Sequence, residues 1–102
     1  MKACVVGAGA IGGILAARLA HAGHEVSAIA RGAHLQAIQE RGLTLKWAGE
    51  QFTVDIRATS DASDMEPQDY VILTVKAPAL PGIAPSLMPL LGPQTTIVTA
   101  MN

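Results

Sequence analysis

Short apolar runs alternate with glycine-marked breaks along the chain, and that alternation predicts its elements. Ala3 to Val6 is an uninterrupted apolar run, the pattern of a strand buried on both faces. Gly7-Ala8-Gly9-Ala10-Ile11-Gly12-Gly13 follows, then an Ala- and Leu-rich stretch from Ile14 to Ala22. Ile11, Leu15 and Leu19 recur at intervals of four, which places them on one helix face. Gly23 supplies a left-handed stop. Glu25 to Ala30 predicts a second strand, and Ala33 to Arg41 a short helix closed by Gly42. Leu43, Leu45 and Trp47 alternate with polar residues, as do Phe52, Val54 and Ile56, so a hairpin is predicted around Ala48-Gly49-Glu50. Ser60 to Glu66 is polar and reads as a loop with room for one helical turn. Tyr70 to Val75 (YVILTV) is the most strand-like run and predicts a central parallel strand. Prolines at 81, 85 and 89 forbid a regular helix after it, so a broken or short one is expected from about Pro81. Thr95 to Thr99 reads as a last strand.

Strands alternating with helical segments imply a parallel sheet with right-handed crossovers, an α/β, Rossmann-like doubly wound arrangement. The 102 residues suit one domain, and 50% apolar residues suffice for a core and exclude disorder. No run approaches the roughly 20 apolar residues of a membrane-spanning helix. With 7 basic and 8 acidic residues the net charge is −1, which lacks the basic stripe of a nucleic-acid partner. The single cysteine, Cys4, excludes an internal disulfide and a cysteine-based metal site, and suits a reducing, cytoplasmic setting. The amino terminus does not read as a signal peptide. Three histidines without a Cys or Asp cluster beside them make no metal site.

Gly7-x-Gly9-x-x-Gly12 has the spacing of the dinucleotide fingerprint. Gly7 permits the tight turn out of the strand, Gly9 lets a pyrophosphate reach the backbone, and Gly12 lets helix and strand pack closely. The free N–H groups at the helix start, at the positive end of its dipole, suit phosphate. By itself the motif is weak, because glycine-rich strand-to-helix turns that bind nothing also occur. Its position between a buried-type strand and an Ala-rich helix strengthens it.

Arg31 bears on which nucleotide is bound. An NAD site uses a carboxylate at the carboxyl end of the second strand to bind the ribose 2′-hydroxyl. This strand ends Ile29-Ala30-Arg31-Gly32, and its acid, Glu25, is at the other end. A guanidinium there suits a 2′-phosphate, although it also fits a solvated loop residue. Lys76 follows YVILTV at the carboxyl edge, where doubly wound sheets bind ligands, or simply reaches solvent. Asn102 follows the last strand on the same edge and offers an amide to ribose or substrate hydroxyls.

Four segments together resemble the ketopantoate reductases (2-dehydropantoate 2-reductases): GAGAIGG at 7–13, ARG at 30–32, TVKAPAL at 74–80 and TAMN at 99–102. The resemblance covers the whole chain, in order. It implies that Gly7, Ala8, Gly9, Ala10, Ile11 and Gly12 cradle the pyrophosphate of NADPH, that Arg31 binds its 2′-phosphate and that Lys76 reaches the cofactor. Asn102 would lie near the nicotinamide ribose and the substrate. The chain departs from the family pattern in its Pro-rich KAPALPG segment and in Met101, where glutamine is common. The implied reaction is NADPH-dependent reduction of a small 2-oxo acid, 2-dehydropantoate to pantoate, in pantothenate and coenzyme A biosynthesis. The resemblance further implies that residues 1–102 are an incomplete NADP-binding domain, whose helical partner domain carries the proton donor; no catalytic residue is assigned here. The fragment alone is expected to be inactive. Two other readings stay open: another NAD(P)-dependent hydroxy-acid or opine dehydrogenase, and a nucleotide-sensing regulatory domain. The oligomeric state is not legible.

Overall fold

The structure, a computed structural model, describes residues 1–7 and 9–100. Five parallel strands form one sheet: β1 (Lys2–Val6), β2 (Glu25–Ile29), β5 (Arg57–Thr59), β6 (Tyr70–Leu73) and β7 (Thr96–Thr99). Their order is β5-β2-β1-β6-β7. The remaining strands, β3 (Leu43–Trp47) and β4 (Glu50–Val54), form a separate antiparallel hairpin. Its turn residues Ala48 and Gly49 have φ of +51° and +82°, the left-handed pair that a two-residue turn requires.

The chain winds outward from β1 to β2 and β5, then returns to the other side of β1 with β6. The strand order therefore reverses between β1 and β6. Val6 is paired with Ile29 on one side and Leu73 on the other, so the carboxyl ends of β1, β2 and β6 are level. This arrangement is the doubly wound, Rossmann-like sheet expected from the alternation of elements.

Helix α1 (Ala10–His21) and helix α2 (Gly32–Arg41) cover one face. Val5, Val26, Ala28 and Ala58 of the sheet meet Ala16 and Ile38 there. Val5, Ala16, Ala28 and Ile38 are buried almost completely, and a fully buried Val or Ile contributes on the order of 1.5–3 kcal/mol. The hairpin leans on this layer, with the His21 and Phe52 rings stacked at 4.1 Å between centroids. The Gln39 side chain donates to the Ala58 carbonyl at 3.0 Å, tying α2 to β5. On the opposite face, Cys4, Val6, Val71 and Leu73 pack against Ala62, Met65, Leu87 and Leu90.

Several details differ from the sequence-based expectations. The α1 stripe of Ile11, Leu15 and Leu19 is unevenly buried: Ile11 is 53% exposed, Leu19 packs against the core, and the fully buried positions of the helix are Gly12, Ala16 and Ala17. A helix lying close on a sheet needs small residues at the contact, so Ala and Gly displace the larger apolar side chains. Strand β6 ends at Leu73, leaving Lys76 three residues beyond it. Strand β5 was not expected; it is only three residues long and pairs with Ser27–Ile29 of β2. The polar stretch after it contains one 3₁₀ turn, Ala62–Asp64, where the Asp61 side chain accepts from the Ser63 N–H at 2.9 Å. The Pro-rich segment is broken as expected: 3₁₀ turns at Ala77–Ala79 and Ala84–Leu90 flank a single turn of helix α3, Leu80–Ile83. Among the described residues, no helix is long and apolar enough to cross a membrane.

Candidate functional site

The turn that leaves β1 lies where the strand order reverses, the position at which open α/β sheets bind ligands. Gly7 has φ of +87°, and a Cβ there would come within 2.8 Å of Val75 Cγ1. Its N–H donates to the Ile29 carbonyl at 2.9 Å, which anchors the turn to β2. Gly12 is constrained by space: a Cβ would collide with the Gly7 carbonyl oxygen and come within 2.7 Å of Thr74 Oγ1. Gly9, the N-cap of α1, differs from both. Nothing lies within 4 Å of where its Cβ would be. Two glycines are thus demanded by the protein's own packing, while the third opens onto free space at the helix start. Helix α1 has no acidic residue in its first turn, so its positive end is not neutralised.

Thr74 was not singled out by the sequence. Its N–H and its hydroxyl both reach the Val6 carbonyl, at 3.0 and 2.8 Å, and the hydroxyl also bonds the Gly7 carbonyl. A Thr in TVK carries no local sign of this, because its partners are 67 and 68 positions away.

A cavity of about 490 Å³ opens at this edge, walled by Val6, Gly7, Ile29, Ala30, Arg31 and Val75, among others. Arg31 caps α2 with extended backbone and makes no side-chain capping bond. His34 and Ser60 line the same cavity and were not assigned by the sequence; among the described residues, none that lines it is acidic. Gly7 and Arg31, far apart in the chain, are therefore brought to one wall. Lys76 is exposed on the same edge but does not line this cavity, and its carbonyl accepts the Ala79 N–H at 2.9 Å. Ala10 begins α1, and Ile11 is exposed in its first turn. Ala8 and Asn102 lie outside the described residues.

A larger cavity of about 530 Å³ lies at the opposite, amino edge, lined by Glu25, Ser27, Asp55, Arg57, Glu66 and Gln68, among others. It is remote from the glycine turn. Among the described residues, no group of three His, Cys, Asp or Glu is placed to hold a metal ion.

The fit to a dinucleotide is tested by these observations: an open Gly9, an unneutralised helix start, and a cationic, carboxylate-free cavity beyond β2. They fit. Together with the strand order they define a Rossmann-like α/β fold with an open glycine turn at its switch point. Comparison with known proteins narrows this class. The profile of the family described as ketopantoate reductase PanE/ApbA matches residues 3–102. A 2-dehydropantoate 2-reductase from Mesorhizobium japonicum is 48% identical over all of this chain and 32% of its own length. The crystal structure of a provisional ketopantoate reductase from Ralstonia solanacearum superposes with a TM-score of 0.93 at 53% identity, over 98% of this chain and 31% of that one. A D-mandelate dehydrogenase, in a ternary structure with NADH and anilino(oxo)acetate, gives 0.88 at 29% identity, over 100% of this chain and 34% of that one. The chain belongs to the ketopantoate reductase family, whose members are oxidoreductases that use NAD(P)H. It spans about a third of the length of these relatives.

Proposed function

We propose that the complete protein reduces a small 2-oxo acid with NADPH, converting 2-dehydropantoate to pantoate on the route to pantothenate and coenzyme A. Residues 1–102 would supply the cofactor-binding part of its Rossmann domain. The single observation that carries the cofactor choice is Arg31 on the wall of a cavity without a carboxylate, where an NAD site would need one. Gly7, Ala8, Gly9, Ala10, Ile11 and Gly12 would hold the pyrophosphate through backbone N–H groups, and Arg31 the 2′-phosphate. Lys76 and Asn102 would approach the cofactor from the β6 and β7 ends, Asn102 also reaching the substrate.

When bound, the nicotinamide supplies hydride to the ketone carbon. The described part of this chain binds and orients, with no metal assigned to the site. The proton donor and the second wall that excludes water would come from the other two thirds of the protein. On this reading the fragment alone binds the cofactor without reducing the ketone, and the whole enzyme works in the cytoplasm.

A second reading is NADH-dependent reduction of a different 2-oxo acid. It is favoured by the likeness to a D-mandelate dehydrogenase whose structure holds NADH. Calorimetric titration of the full-length protein separates the two. A bond to a charged group is worth about 1.5–3 kcal/mol, so NADPH should bind about 10- to 150-fold more tightly than NADH. Arg31→Asp should abolish that preference. Equal affinities in the unsubstituted protein, or tighter NADH, would overturn the NADPH assignment.

A further inference from the structure

Residues on the two sides of the strand-order reversal are joined by one side chain. Thr74, just past the end of β6, reaches across to the carbonyls of Val6 and Gly7 at the end of β1. The Val6 carbonyl already accepts the Thr74 N–H at 3.0 Å as an extension of the sheet ladder. Among the described residues, the hydrogen-bond partner of the Gly7 carbonyl is the Thr74 hydroxyl. The same carbonyl fills the space that a Gly12 Cβ would need, so it is directed inward, between β6 and the first turn of α1.

We propose that Thr74 is a positioning residue for the cofactor, its hydroxyl holding the Gly7 carbonyl toward β6 so that the glycine turn offers no carbonyl oxygen to the pyrophosphate. The proposal rests on the reading that this turn binds the dinucleotide. Its physical basis is the geometry of the peptide unit. A carbonyl oxygen carries partial negative charge and repels phosphate, whereas an N–H attracts it. Because each peptide group is planar, fixing its carbonyl fixes the orientation of the whole unit. A half-buried carbonyl deprived of its donor is driven to find another partner, and the free space beside Gly9 lies close by in the chain. Val75 and Thr74 also crowd the place of a Gly7 Cβ, at 2.8 and 3.2 Å, so the turn is held from two sides.

The experiment compares Thr74→Val, which keeps the shape and removes the donor, with Thr74→Ser, which keeps the hydroxyl, both in the full-length protein. Dissociation constants for NADPH and NADH are measured by calorimetry, and the melting temperature without ligand is recorded. Thr74→Val should weaken both cofactors by about five- to tenfold, the worth of one hydrogen bond, and by the same factor. The pyrophosphate is common to both, so the NADPH-to-NADH ratio should stay unchanged. Thr74→Ser should restore both affinities to within about twofold. If Thr74→Val does not fold, Thr74→Cys, a weak donor of similar volume, is measured in its place with the same expectation. Unchanged affinities in a variant with a lowered melting temperature would show a purely structural hydrogen bond and overturn the proposal. A loss confined to NADPH, or a loss in Thr74→Ser as large as in Thr74→Val, would also overturn it. If the unsubstituted protein binds neither cofactor, the underlying reading fails instead.

Discussion

The Gly7 carbonyl oxygen occupies the place where a Cβ on Gly12 would have to sit. Five residues apart, the two glycines lock the turn that leaves β1 to the first turn of α1. Gly12→Ala must therefore push the helix off the strand, and overpacking of this kind costs about 1–3 kcal/mol. The melting temperature should fall by several degrees, and cofactor affinity should fall with it. Gly9→Ala should behave oppositely. Gly9 has φ of −71° and empty space around it, so the fold should tolerate a methyl group without loss of melting temperature. Weakened NADPH binding in Gly9→Ala at an unchanged melting temperature would place the pyrophosphate against that residue. Thermal unfolding and calorimetry of the two variants side by side make the comparison.

Lys76 tests a different part of the site. It is exposed, it follows β6 by three residues, and its side chain meets no hydrogen-bond or ion-pair partner among the described residues. Removing it should leave the fold as it was. Lys76→Ala should keep the melting temperature without ligand within about 1 °C, as expected for an exposed position free of special contacts. It should weaken NADPH about tenfold, the lower end for a charged contact. Unaltered NADPH binding would make Lys76 an ordinary surface residue.

The pH dependence of stability has one identifiable contributor at the amino edge of the sheet. The Lys2 ammonium donates to Glu66, and both side chains are exposed. The hydrogen bond and charge of Lys2 hold the Glu66 carboxyl below the usual glutamate range; Glu66 in turn raises Lys2. A lowered carboxyl favours the folded state at pH values above its unfolded pKa, and the benefit is lost as pH falls through the folded value. The raised lysine contributes below its unfolded pKa and loses its contribution as pH rises through the folded value. Glu66→Gln should thus melt slightly lower than the unsubstituted protein at neutral pH. The difference should vanish in acid, where Glu66 is protonated, and also above the titration of Lys2. It should shrink in 1 M salt, as exposed ion pairs do. A difference that persists in acid would assign the effect to packing.

The strand, glycine turn and helix at the start of the chain were legible because each is specified by neighbours. An apolar run, three glycines at fixed spacing and an Ala-rich stretch fix the local backbone without reference to distant residues. The hairpin was legible for the same reason, through its alternation and its Ala48-Gly49 turn. Arg31 could be placed because a strand ending and a helix beginning locate it on the carboxyl edge.

Other features depend on residues far apart in the chain, and only the tertiary structure decided them. Three residues of β5 carry too little pattern to announce a strand; pairing with β2 and the bond from Gln39 make them one. The spacing of its large residues gave a stripe on α1, but only the closeness of the sheet decides that Gly12, Ala16 and Ala17 are its fully buried positions. The grouping of Arg31 with His34, Ser60 and Gly7 around one cavity arises from the winding of the sheet. So does the reach of Thr74 to Gly7 across 67 positions. Sequence by itself determined the local backbone and the chemical groups available; the parallel sheet determined which of them meet, because strands paired laterally bring together residues that no local periodicity relates.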